Sequence, residues 1–145
     1  MKFAIVCVLL ATSDVAFCGE SCAITDCKLG DVVVTHASRT EPLAGCKTKD
    51  LAAYASFSLG LNGLGATEET VTGLSASIVK MLRERAGVAS LKDALARRSC
   101  VLIKTPQRVT IIEYPKEDNV WRVAKVSPSN GGSDYWTIFM GLDSR

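Results

Sequence analysis

Histidine is nearly absent: the 145 residues contain one, His36. No G-x-S-x-G elbow and no glycine-rich phosphate loop occurs anywhere in the chain, so neither a serine-hydrolase triad nor a phosphate cradle has its usual sequence support. Charge of one sign is also scarce. Seventeen Lys plus Arg stand against fifteen Asp plus Glu, for a formal net charge of +2. That balance excludes a nucleic-acid binder driven by gross charge, and a strongly solvated disordered chain. Long apolar runs are missing too. Residues 3–11 (FAIVCVLLA) are uncharged over nine positions, too few to cross roughly 30 Å of hydrocarbon as a helix.

That run follows Met1 and Lys2, the pattern of a secretory leader with a positive start and a short apolar centre. Ala16-Phe17-Cys18 supplies the small residues of a cleavage site, placing a signal peptide over residues 1–18 and no transmembrane segment in the mature chain. Acylation of Cys18 is disfavoured by the bulky Phe17 where a small residue is needed. The expected location is secreted or periplasmic. Four cysteines then remain, Cys22, Cys27, Cys46 and Cys100, and an even number in an oxidising compartment reads as two disulfides with three connectivities open. Pairing neighbours would make one tight loop and one long staple. A zinc site built from Cys22, Cys27, His36 and Cys46 has the spacing C-x4-C-x8-H-x9-C, which fits none of the usual structural zinc patterns. No metal and no cofactor is expected.

Residues 19–45 read as a turn-rich, disulfide-bearing arm lying on the body, with one strand at 31–35. Residues 46–98 read as a helical segment. Thr48 is placed to cap a first helix that glycines 60, 63 and 65 break. Thr67 opens a second, with Glu68 and Glu69 in its first turn and Val71, Leu74, Ile78, Met81 and Leu82 as one apolar stripe ending at Gly87. Ser90 and Asp93 form a capping box for a third. Beyond Ser99 the helical period stops, and residues 100–104, 108–114, 120–126 and 134–139 are strands separated by turn residues.

The stretch from Cys100 resembles the small SH3-like β-barrels of exported bacterial proteins, through Val109 and Ile111, Trp121-Arg122-Val123, Tyr135-Trp136 and Met140-Gly141-Leu142. The expected fold is therefore α+β: a helical layer followed by a small antiparallel SH3-like β-barrel over 99–145, stapled by disulfides, with 46–145 as one unit. The resemblance implies a binding or structural module, in some relatives a contact with cell-wall peptide, and no catalytic residue.

Two surfaces are candidates for that contact. Tyr114, Trp121, Tyr135, Trp136 and Phe139 crowd the last 32 residues, and strand alternation sends Tyr135 and Trp136 to opposite faces, so one of them is expected at the surface. Between Lys80 and Arg108 lie eight cations and two acids, with Arg97, Arg98 and Arg108 as candidates for meeting an anionic surface. Trp121, Tyr135 and Trp136 with those three arginines are the expected binding residues. The expected partner is cell-wall peptide or glycan, or an envelope protein, and no nucleic acid. The function that follows is non-catalytic binding or structural support outside the cytoplasm. Its competitors are a hydrolase or hydrolase inhibitor using His36 or the 127–133 loop, and a structural subunit of a larger envelope assembly.

Overall fold

A computed structural model describes residues 20–24, 27–37, 41–115 and 120–144. The leader assigned to 1–18 lies outside them, as do the turn residues expected at 116–119. The chain is α+β. Strands β1 (Val32–Thr35) and β2 (Ala44–Cys46) precede helices α1 (Lys49–Gly63), α2 (Gly73–Ala86) and α3 (Leu91–Ala96). Strands β3 (Cys100–Leu102), β4 (Gln107–Glu113), β5 (Val123–Pro128), β6 (Tyr135–Ile138) and β7 (Leu142–Asp143) follow, with a 3-10 turn at Phe139–Gly141.

Local chemistry starts two of the helices where the residues predict. Thr48 Oγ1 accepts the Leu51 N–H at the head of α1, and Ser90 Oγ accepts that of Asp93 at the head of α3. Gly87 ends α2 with the left-handed φ of 66° that glycine tolerates. Other expectations shift. Helix α1 runs through Gly60 to Gly63, and α2 begins at Gly73 instead of Thr67. The cause lies at Glu68, which leaves the helix start to accept hydrogen bonds from Tyr54 and Ser58 of α1. A turn held by Thr67 and Thr70 then carries the chain onward. With the helix started later, Val79 and Leu82 face inward with Ile78 beside them, while Leu74 and Met81 of the expected stripe are exposed.

All strand pairs are antiparallel, in the order β3-β2-β6-β5-β4-β1-β7. This seven-stranded sheet does not close, and the barrel expected over 99–145 is corrected accordingly. Strand β3 pairs with β2 and not with its sequence neighbour β4, whose outer edge is taken by β1. The segment before Cys46 is thus no appended arm. It supplies two strands from inside the sheet, one of them, β2, lying between β3 and β6.

The sheet buries apolar side chains on both faces. On one, Cys46, Cys100, Val123 and Trp136 pack with Ala52, Tyr54, Ala55 and Leu59 of α1, and Leu82 of α2 joins them. On the other, Val33, Val109, Ile111, Val126, Tyr135, Phe139 and Leu142 pack with Cys22. Two disulfides are formed, Cys22–Cys27 and Cys46–Cys100. The second joins residues directly opposite one another in the β2–β3 register.

Candidate functional site

Alternation does place Tyr135 and Trp136 on opposite faces, but neither is at the surface: each is 8% exposed. Exposure of one partner requires a bare sheet face, and here α1 covers one face while Cys22 and Cys27 help to cover the other. The Tyr135 hydroxyl donates to Gln107 Oε1 at 2.9 Å, and burial pushes the phenol up to about 12. Both side chains are therefore removed from the expected aromatic contact surface.

Trp121 is different. It sits half-buried just before β5, edge-on to Phe57 of α1, with ring centroids 5.8 Å apart and planes at 77°. Beside this pair opens a recess of about 430 Å³, walled by α1 and by the end of β6 with its 3-10 turn. Phe57, Trp121, Ile138 and Phe139 line it, and Val120 and Met140 stand on it 72% and 64% exposed. These are separated in sequence by up to 83 positions. They meet because α1 packs across β6 and β5 and because the 3-10 turn brings Phe139 and Met140 back towards the helix.

Arg122 is the charged side chain in this lining. Its backbone has φ 45°, a left-handed conformation that a side-chain-bearing residue rarely adopts. Nη1 donates to the Ala23 carbonyl at 3.0 Å, and the guanidinium stands 5.5 Å from the centroid of the Phe139 ring. The remaining donors meet no carboxylate among the described residues.

The predicted basic surface is partly neutralised. Arg83 lies 3.6 Å from Glu68, Arg85 3.1 Å from Asp50 and Arg97 2.8 Å from Asp93. Arg98 and Arg108 are exposed, and none of Arg97, Arg98 and Arg108 lines the recess at Trp121. The basic and aromatic candidates are thus separate features.

His36 lies just past β1, with Nδ1 2.9 Å from Asp143 Oδ2, an ion-pair distance without the alignment of a hydrogen bond. It borders a second recess of about 250 Å³ that shares Ser56, Ile138 and Met140 with the first. Its Nδ1 has no hydrogen-bond partner among the described residues. Among the described residues no group of three His, Cys, Asp or Glu side chains converges as metal ligands do.

Sequence reasoning found Trp121 and missed Phe57, Met140 and Arg122 as its companions. Phe57 reads as one more apolar residue of a helix, and Arg122 as part of the expected 120–126 strand, because nothing local marks its left-handed backbone. Compared with known proteins, the chain matches no family model, no curated protein and no solved structure.

Proposed function

We propose that the chain is a non-catalytic binding domain, exported to the envelope or the extracellular space, that grips an apolar segment of peptide in the recess beside Trp121 and Phe57. The observation that carries this reading is the recess itself: about 430 Å³ of open space whose walls are aromatic and aliphatic, with Val120 and Met140 left exposed on it. Exposed side chains of this kind, gathered around one concavity, form the sort of surface that partners cover. Its volume falls within the usual range for ligand sites.

Peptide is favoured over glycan. A sugar ring brings a hydroxyl on nearly every carbon, and the lining answers with two polar side chains, Ser56 and Arg122. A peptide side chain needs the apolar wall instead. Cell-wall peptide and the exposed segment of an envelope protein are the candidate partners. Export is supported by the leader-like residues 1–18 and by the two disulfides, which persist in oxidising compartments. Among the described residues no helix is long and apolar enough to cross a membrane.

The test is co-sedimentation of the oxidised protein with purified cell-wall sacculi, and separately with envelope protein extracts immobilised on beads, at low and high salt. Binding that falls about thirtyfold in Trp121→Ala at either salt concentration, the scale of one central aromatic contact of about 2 kcal/mol, is the expected result. Binding by Trp121→Ala equal to that of the unaltered protein would overturn the reading.

A further inference from the structure

We infer that the occupant of the recess is the C-terminal end of an apolar peptide, its carboxylate held by Arg122 and its last side chain packed on Phe57 and Trp121. The inference rests on the binding reading above and adds the chemical class of the ligand's end.

Charge complementarity carries it. Arg83, Arg85 and Arg97 each have a carboxylate at 3.6 Å or less, whereas Arg122, the charged side chain of a mainly apolar recess, has none among the described residues. Of its five N–H donors one is used on the Ala23 carbonyl, which is neutral and leaves the positive charge without a carboxylate among the described residues. The planar fork of this exposed side chain matches a carboxylate bidentately.

The guanidinium is also held in place before any ligand arrives. The Ala23 contact and the face of Phe139 fix its head, and the Phe139 N–H donates to the Arg122 carbonyl at 2.9 Å, fixing its backbone. That backbone is left-handed at φ 45°, a conformation retained here by a residue for which glycine is the usual choice. Strain of this kind gathers where a side chain must be aimed. A chain terminus suits the layout better than an internal acid. It carries the carboxylate and an apolar side chain on one α-carbon, so a single residue spans from Arg122 to the Phe57–Trp121 wall.

The probes are two pools of N-acetylated tetrapeptides, randomised over apolar residues and ending either in a free carboxylate or in an amide. They are titrated into the oxidised protein while the Trp121 indole N–H is followed by NMR. The free-acid pool is expected to bind at least tenfold tighter than the amide pool. In Arg122→Gln the acid should fall to the affinity of the amide, with the amide unchanged. Arg122→Gly, which relieves the left-handed backbone and so guards against a folding defect, should behave in the same way. Equal binding of acid and amide, unaltered in both variants, would overturn the carboxylate anchor while leaving the recess as a peptide site. If neither pool moves the Trp121 signal, the peptide reading falls, and the anchor falls with it.

Discussion

Tyr135 shows how a side chain's environment becomes a property of the whole fold. Its hydroxyl keeps one partner, Gln107, and burial raises its pKa to about 12 from an ordinary value near 10. Below pH 10 the phenol is protonated in both folded and unfolded chains, and its contribution to stability is complete. Between about pH 10 and 12 only the unfolded chain ionises, so stability falls as pH rises through that window. Tyr54 acts in the same direction, raised first by burial and then by its hydrogen bond to the Glu68 carboxylate. Tyr135→Phe should therefore lose less stability between pH 9 and pH 11.5 than the unaltered chain does, with the Tyr54 contribution persisting. Urea midpoints at the two pH values measure the difference, and identical losses would contradict the assignment. The variant also forfeits the Gln107 bond at every pH, about 1 kcal/mol, which shifts both midpoints together and leaves the difference intact.

Elements were legible to the extent that their causes are local. Thr48, Ser90 and Gly87 act within one helical turn of themselves, and they cap helices as the sequence suggests. Glu68 does not: its partners Tyr54 and Ser58 are fourteen and ten residues away, and that distant pull moves the start of α2 by a turn and a half. Strand β2 is Ala-Gly-Cys, too short and too small to signal a strand. Its place is set by tertiary packing, and Gly45 leaves no room there for a Cβ beside Ile103 and Tyr135. Yet β2 and β3 hold the long staple. Cys46–Cys100 closes 54 residues that include all three helices, and the loop-closure model assigns such a link about 4 kcal/mol against about 2 for Cys22–Cys27. Replacing Cys46 and Cys100 together by Ala should cost about that much in urea unfolding, while the Cys22 and Cys27 double replacement costs roughly half. The opposite order would show that strain or residual unfolded structure outweighs chain entropy here.

At the scale of the molecule, the division into arm, helices and barrel fails for one topological reason. Four strands after Ser99 were visible from their β-branched and aromatic residues, but which strands they pair with is not written in any of them. Strand β4 takes β1 on one side and β5 on the other, and β6 is flanked by β5 and β2, so the first part of the chain is wedged into the sheet that the last part begins. The recess depends on this arrangement, because Ala23 fixes Arg122 and the β2–β6 pairing sets β6 beneath α1. Residues 46–145 alone would keep the long disulfide and lose Val33, Val34 and Leu43, each buried to within 5%. At about 2 kcal/mol for each such side chain the loss is roughly 6 kcal/mol, comparable with the whole margin of an ordinary domain. It would also bare the edge of β4 and the face of Tyr135 and Phe139. The fragment is expected to show no cooperative thermal transition and to bind an apolar dye strongly, whereas the oxidised chain from Gly19 melts sharply. A cooperative transition in the fragment would mean that helices and C-terminal strands hold a core of their own, with β1 and β2 added to it afterwards.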